Sequence, residues 1–169
     1  MESEQILEIL SRIFPQLAEP ELQQETPQVG KIYRYESGEI IRNYGSYVKL
    51  VPLIISGSIK VTREDEMNGR EMLLYFLGGG ETCSMSFTCC MMHKKSAIRT
   101  EALENTELIG IPVRHVDQWM TKFQSWKNFV MRTYDEKMVD LVKVVDSIAF
   151  EGLLNRLISK RNPFAFISS

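Results

Sequence analysis

Four side chains that could bind a metal or react with an oxidant lie close together in the sequence: Cys83, Cys89, Cys90 and His93. Zinc and iron–sulfur sites need about four convergent ligands, commonly supplied by Cys-x2-Cys pairs on a tight turn. Here the spacing is Cys-x5-Cys-Cys-x2-His. The side chains of adjacent cysteines point apart on a helix or a strand, so they do not chelate easily. We therefore predict no metal site and no cofactor.

The three cysteines leave two other interpretations open. Free cysteine behaves as a small apolar residue, and with the neighbouring methionines it would fill the pocket side of a short helix. An accessible thiolate at Cys83, Cys89 or Cys90 would instead allow redox sensing. The packing interpretation is favoured. An odd number of crowded cysteines also indicates a reducing, cytoplasmic environment rather than a secreted disulfide scaffold.

Lys95 and Ser96 form a second candidate for chemistry. A lysine beside a hydroxyl could help to hold an anion. In the alternative, Lys95 is a solvated turn residue and Ser96 is a hydroxyl at the start of a strand. The residues alone favour neither interpretation.

The composition is that of an ordinary globular domain. The chain has 169 residues, of which 44% are hydrophobic and 25% are charged, enough for a sizeable core. Its formal net charge of −2 provides no basic excess to attract nucleic acid. The N-terminus is acidic, unlike a signal peptide, and no apolar run is long enough to cross a bilayer. We therefore predict a protein that does not contact membranes.

The segment from Gly30 to Pro112 has the pattern of a β structure. Short stretches rich in Ile, Val, Leu and Tyr alternate with glycine-containing turns, as in an all-β sandwich or roll. Asn68-Gly69 is the clearest hairpin tip, because Asn-Gly tolerates positive φ at both central positions of a turn. The predicted strands cover residues 31–35, 39–42, 49–55, 58–63, 71–76, 97–102 and 107–111.

Helical patterns flank this segment. Apolar residues at helical spacing predict a surface helix over residues 3–14, and residues 19–28 read as a short helix plus a loop. A short helix follows Pro112. Ser125 is then expected to cap a longer helix that ends near Phe150. The fold class predicted is mainly β with flanking helices.

The long helix carries an apolar series with heptad spacing. Its steps of three, four, three, four and three keep one stripe facing a partner helix. We predict a homodimer interface on this stripe. In the alternative, the stripe packs on the β-roll of its own chain, and Val139, Val142 and Val144 widen it enough to permit both contacts. The predicted interface residues are Met131, Tyr134, Met138, Leu141, Val145 and Ile148.

A set of short motifs in a fixed order carries a resemblance to a known family. Residues 54–61 read apolar-apolar-x-Gly-Ser-apolar-x-Val, and residues 68–74 follow an acidic turn. Over residues 30–156, the order and spacing closely resemble the cyclic-nucleotide-binding-type sensor domain of the Crp/Fnr transcription regulators. The other motifs are Ser37-Gly38-Glu39, Gly80-Glu81, Lys95-Ser96-Ala97 and residues 108–112 and 147–150.

The resemblance implies a domain organisation. Residues 1–124 would form an N-terminal helix and an effector-sensing roll, a double-stranded β-helix (jelly roll). Residues 125–150 would form the dimerisation helix, and residues 151–169 the start of a DNA-binding domain. Residues 151–160 resemble the first helix of that domain, but the residues after them cannot hold a winged helix-turn-helix. We therefore expect DNA to be bound only through a domain absent from this chain.

The resemblance also argues against cyclic AMP as the effector. The phosphate-binding cassette would run over residues 80–97, with Lys95 replacing the phosphate-binding arginine and Ser84-Met85 replacing a Gly-Glu pair whose carboxylate holds the ribose. Leu141-Val142 would replace a polar pair that contacts the base. What the resemblance leaves of the cassette is an anion site formed by Lys95, Ser96 and the N-terminus of a short helix near Ser86. The predicted effector is therefore a small molecule of unknown identity. The effector-binding residues expected are Ser84, Met85, Ser86, Lys95, Ser96, Leu141 and Val142.

Two other classes of function stay open. The chain could be a stand-alone regulatory module that acts by protein contact. A cupin-like metalloenzyme is less favoured, because cupins typically need two closely spaced histidines on one strand, a carboxylate and a third histidine. The sequence has only His93 and His115, and it contains neither a Gly-x-Ser-x-Gly elbow nor a phosphate-cradling Gly-Lys-Ser/Thr. We predict that the chain is not an enzyme.

Overall fold

The computed structural model describes residues 1–161, with the side chain of Arg161 left out. The chain forms two compact units, Met1–Thr133 and the part from Tyr134 onwards. The helices are α1 (Glu2–Ile13), α2 (Pro20–Val29), α3 (Ser84–Met91), α4 (Val113–Lys122) and α5 (Gln124–Arg161). The strands are β1 (Lys31–Tyr35), β2 (Ile40–Arg42), β3 (Leu50–Ser56), β4 (Ser58–Glu64), β5 (Glu71–Gly78), β6 (Ile98–Ala102) and β7 (Thr106–Pro112).

The seven strands form two antiparallel sheets, with the orders β1-β7-β3 and β2-β6-β4-β5. Each predicted strand is present within two residues of its predicted ends. In β6 the side chains alternate as expected for a sheet with one buried face: Ile98, Thr100 and Ala102 are buried, and Arg99 and Glu101 are half-buried. The prediction of a mainly β fold with flanking helices is confirmed.

The core of the first unit lies between the two sheets. Ile54 and Leu108 come from one sheet, and Ile59, Val61 and Ile98 from the other, and all five side chains are at most 3% exposed. β3 is buried over most of its length, as its nearly continuous apolar sequence predicts. Burial of this set is the main term that holds the sheets together.

Gly57 makes the turn between β3 and β4. Its φ is +92°, and a Cβ there would lie 2.4 Å from the Thr106 Oγ1 and 2.6 Å from the Asn105 carbonyl oxygen. Only glycine fits this close approach with a positive φ. The Gly-Ser motif that carries the family resemblance is therefore a steric requirement of the roll.

Aromatic side chains join the helices of the first unit. Trp119 of α4 and Trp126 of α5 pack edge to face with ring centroids 5.1 Å apart, and Phe87 of α3 contacts the other side of Trp126 at 5.8 Å. All three side chains are fully buried. Because α3 also packs on β3, this cluster fixes α3 against the roll.

The long helix differs from the prediction at both ends. It begins at Gln124 rather than being capped by Ser125. The Ser125 N–H donates to the Glu19 carboxylate, while its hydroxyl is buried without a partner among the described residues. The capping group is therefore Glu19, which is distant in sequence. α5 also continues to Arg161 as one helix, whereas we expected it to end near Phe150. Residues 162–169, which we expected to belong to the start of a DNA-binding domain, lie outside the described part of the chain.

The β4–β5 hairpin is present, but its turn is not the predicted one. Glu64 pairs with Glu71, and six residues connect the strands. Gly69 has a φ of +68°, whereas Asn68 does not have a positive φ. The Asn68 side chain instead accepts a hydrogen bond from the Arg70 N–H at 2.9 Å. The Asp65 N–H also donates to the Arg70 carbonyl oxygen at 2.8 Å. The connection is therefore a six-residue loop, closed by backbone and side-chain hydrogen bonds, rather than a two-residue turn.

Candidate effector-binding site

A cavity of about 350 Å³ opens into the roll of the first unit. All seven strands and the start of α3 contribute to its lining. Its lining combines apolar side chains, among them Ile59, Leu77 and Leu108, with polar ones such as Ser46 and Thr100. A concave pocket of apolar side chains with placed polar groups is the usual form of a small-molecule site, and this volume is at the lower end of the usual range.

Arg42 is the charged group that β2 places in this pocket. The β2–β6 pairing shifts register between Ile40 and Arg42, so that Arg42 lies opposite Thr100, another residue of the pocket lining. Its Nη1 donates to the Ser86 Oγ at 2.6 Å, and its Nη2 donates to the Leu50 carbonyl oxygen at 2.7 Å. Arg42 therefore links β2, β3 and α3 at the pocket wall.

The pocket has a positive electrostatic character. Arg42 and Lys49 line it, and its lining residues include no Asp or Glu. Burial lowers the pKa of the Arg42 guanidinium, and nearby groups such as Cys83 oppose that shift. Burial also raises the pKa of the Tyr35 hydroxyl, which therefore stays neutral and can donate or accept a hydrogen bond. The pocket can therefore bind an anion, with neutral hydroxyls available beside it.

Of the predicted effector-binding residues, the structure places Ser86 in this pocket. Ser84 is buried, and its Oγ lies 3.5 Å from the Tyr75 hydroxyl. Met85 packs against the core between the sheets. Neither of these two lines the pocket.

Lys95 and Ser96 do not line the pocket either. Lys95 is exposed, with its Nζ 5.7 Å from the centroid of the Tyr47 ring at the pocket. The Ser96 hydroxyl is buried and donates to the Ile98 carbonyl oxygen at 2.8 Å. Lys95 is thus a solvated lysine in a β-bridge with Tyr47, and Ser96 is a hydroxyl that fixes the start of β6.

Leu141 and Val142, the remaining predicted effector contacts, belong to the second unit. Their side chains are 57% and 50% exposed. An effector role for Ser84, Met85, Lys95, Ser96, Leu141 and Val142 remains a prediction. Arg42 was missed, because a single arginine in a three-residue strand gives no sequence signal of which way it points.

The three cysteines are free and buried. The Cys89 and Cys90 thiols lie within reach of the Lys95 and Val113 carbonyl oxygens, at 3.9 and 3.7 Å. Burial raises the pKa of Cys90 to about 11, with a further contribution from Asp117. A buried, protonated thiol packs as an apolar residue, and redox sensing at these positions stays a prediction. Over residues 1–161, no group of three or more His, Cys, Asp or Glu side chains could hold a metal ion.

The apolar stripe of α5 is exposed where it lies in the second unit. Met138, Leu141, Val145 and Ile148 are 61%, 57%, 55% and 65% exposed, and Tyr134 is half-buried. Met131, in the first unit, is 54% exposed. In the second unit, Met138, Leu141, Val145 and Ile148 thus form an exposed apolar stripe along the described part of α5.

Within the described residues, none of the helices combines the length and the hydropathy needed to cross a membrane.

No protein-family model and no curated protein matches the chain. Several solved structures do match it. A protein from Eubacterium rectale described as a transcriptional regulator of the Crp/Fnr family aligns with a TM-score of 0.69 and 21% identity over 88% of this chain and 68% of its own. The catabolite activator protein of Thermus thermophilus aligns with a TM-score of 0.64 and 20% identity over 79% of this chain and 62% of its own.

A third similar structure is the regulatory subunit of a cAMP-independent protein kinase A from Trypanosoma cruzi, bound to guanosine. It aligns with a TM-score of 0.65 and 18% identity over 88% of this chain and 50% of its own. The chain thus spans between half and about two thirds of the length of these structures. At such identities the likeness establishes the fold: the predicted cyclic-nucleotide-binding-type jelly roll is confirmed.

Proposed function

We propose that this chain is the effector-sensing and dimerisation part of a Crp/Fnr-type transcription regulator. The observation that carries the proposal is a pocket of about 350 Å³ in a cyclic-nucleotide-binding-type roll, with the Arg42 guanidinium in its wall. Such a pocket can couple ligand binding to the elements that line it. Arg42 is bonded to α3, and α3 packs on α4 and on the Trp126 end of α5.

The effector proposed is not cyclic AMP. A cyclic nucleotide needs a fork-shaped cation for its phosphate and a carboxylate for its ribose. The cassette position expected to hold the cation has the exposed Lys95, and Met85, in the carboxylate position, packs into the core. The Trypanosoma cruzi structure, described as cAMP-independent and bound to guanosine, supports the idea that this fold accommodates other ligands.

Dimerisation through α5 is the second part of the proposal. The heptad spacing of the stripe from Met131 to Ile148 matches a coiled-coil seam. Its exposed apolar side chains would lose contact with water in a dimer, which is the main driving force for such association. Residues 1–124 would then sense the effector, and residues 125–150 would hold two copies together.

Isothermal titration calorimetry with cyclic AMP and cyclic GMP tests the effector part. We expect no saturable heat from either nucleotide at chain concentrations of about 50 µM, where a Kd near 1 µM would give a clear transition. Binding near 1 µM, on the order of −8 kcal/mol, would contradict the proposal. Sedimentation velocity on the same preparation tests the dimer.

A further inference from the structure

Arg42 carries a positive charge in the pocket wall without a negative partner. Its side-chain hydrogen bonds run to neutral acceptors, the Ser86 hydroxyl and the Leu50 carbonyl. Within the described part of the chain, it forms no ion pair with a carboxylate. Removing a charge from water without a counter-charge is costly. An unpaired guanidinium at a cavity therefore points to an anion supplied from outside the chain.

The guanidinium retains donors for such an anion. Arginine has five N–H groups in a planar fork, and the bonds to Ser86 and Leu50 use one on each terminal nitrogen. The others include Nε–H and the second N–H of each terminal nitrogen. A carboxylate matches this fork, because its two oxygens can accept two parallel hydrogen bonds. Lys49, the other cation of the pocket lining, adds to the attraction.

The rest of the pocket suits a compact apolar body. Ile59, Leu77 and Leu108 line its interior and are at most 3% exposed. Tyr35 and Tyr47 add aromatic surface. The side chains of Ile59, Leu77 and Leu108 carry no polar group, so hydroxyls or a second charge placed against these three would find no partner on them, which is unfavourable. A ligand with one charged end and an apolar body fits better.

We propose that the pocket binds a small organic carboxylate, with its carboxylate group on the Arg42 guanidinium and its apolar body against the interior of the roll. This rests on the proposed function, which makes the pocket the effector site. Because Arg42 also bonds to Ser86, the first turn of α3 contacts the ligand's charged end through Arg42. Arg42 is thus the residue that binds the charged group of the ligand.

The experiment measures binding of benzoate and hexanoate to the full chain by calorimetry and by the shift of the unfolding temperature. Benzamide and hexanamide serve as neutral analogues, and inorganic phosphate as an anion without an apolar body. Arg42→Gln removes the charge, and Arg42→Lys keeps the charge but loses the fork. Arg34→Gln is the matched control, because Arg34 pairs with Glu107 and neither residue lines the pocket.

We expect at least one acid to bind and its amide to bind at least about tenfold more weakly, the size of effect typical of a charged hydrogen bond. Arg42→Gln should weaken binding of the acid by about 10- to 100-fold. Arg42→Lys should weaken it several-fold, and Arg34→Gln should leave it unchanged. A purely structural Arg42 would change the unfolding temperature equally with and without the acid.

Four results would overturn the proposal: no binding of either acid at about 10 mM, equal binding of acid and amide, full affinity in a folded Arg42→Gln variant, or tighter binding of phosphate than of both acids. If Arg42→Gln does not fold, Arg42→Lys decides in the same way. These failures are distinguishable from failure of the proposed function. That function fails instead if cyclic AMP binds tightly or if the chain is monomeric.

Discussion

Leu141→Lys should dissociate the proposed dimer. Leu141 lies at the middle of the stripe and is 57% exposed in the single chain. Since full burial of a leucine is worth about 1.5–3 kcal/mol, covering this exposed part in a dimer should contribute about 1–2 kcal/mol per protomer. The substitution loses that term twice in a symmetric dimer, or about 2–4 kcal/mol. Two lysines at the seam also face each other, although their stems can carry the charges outwards.

The loss of buried apolar area alone therefore costs about 2–4 kcal/mol per dimer, which weakens association by about 30- to 700-fold at roughly 1.4 kcal/mol per tenfold change. Sedimentation velocity between about 1 and 100 µM should show a dimer for the unmodified chain and a monomer for Leu141→Lys. Asp140→Lys is the control, because it introduces the same side chain at a neighbouring exposed position outside the stripe. It should leave the dimer intact.

A monomer of the unmodified chain at tens of micromolar would contradict the proposed interface. The proposed interface is contradicted equally if Leu141→Lys sediments as a dimer, since the stripe would then not be the interface. Circular dichroism of each variant, which reports the helix content, separates loss of association from loss of α5.

Three further predictions concern the stability and chemistry of the first unit. Gly57→Ala should destabilise the fold by about 2–4 kcal/mol in urea unfolding. Gly45 has a φ of +75° but open space around it, so Gly45→Ala should cost only about 1 kcal/mol. Equal losses of stability in the two variants would contradict a steric role for Gly57. The hydrogen bond from Lys122 holds the pKa of the Glu25 carboxyl below its ordinary value. This ion pair therefore stabilises the fold at every pH above the ordinary carboxyl pKa. The stabilisation is lost as the pH falls through the lowered pKa of Glu25. Glu25→Gln should therefore cost about 1 kcal/mol at pH 7 and nothing at about pH 2, and an equal loss at both pH values in urea unfolding would contradict this. Burial raises the pKa of Cys90 to about 11. Iodoacetamide should therefore label Cys90 at pH 8 at least ~100-fold more slowly in the folded chain than in urea, as measured by peptide mass spectrometry. Similar labelling rates would show an accessible thiolate.

The strands could be predicted because they depend on local signals. Alternation of apolar and polar residues sets which face of a strand is buried, and glycine with a positive φ sets where the chain turns. Gly57 shows this most clearly, since its position between two apolar stretches marks a turn that only glycine can make. Interactions between distant residues gave no such signal. Glu19 caps α5 from more than a hundred residues away, so the start of that helix was misplaced.

The pocket was the least predictable part of the molecule. A register shift in the β2–β6 pairing places Arg42 opposite Thr100 of the pocket lining. Such irregularities depend on how two strands pair, and alternation along one strand does not reveal them. Ser86 was found because the resemblance placed a short helix at the pocket. Lys95 was expected there by analogy with a cassette whose surroundings this chain does not reproduce.

The most direct measurement is scanning calorimetry of the unmodified chain with cyclic AMP, with benzoate and with hexanoate, each at about 10 mM. A ligand with a Kd of about 1 mM would then stabilise the fold by about 1.4 kcal/mol through mass action, enough to raise the unfolding temperature by a few degrees. We expect at least one of the two acids to produce this shift and cyclic AMP to produce none. A shift with cyclic AMP and none with either acid would contradict the proposed effector site.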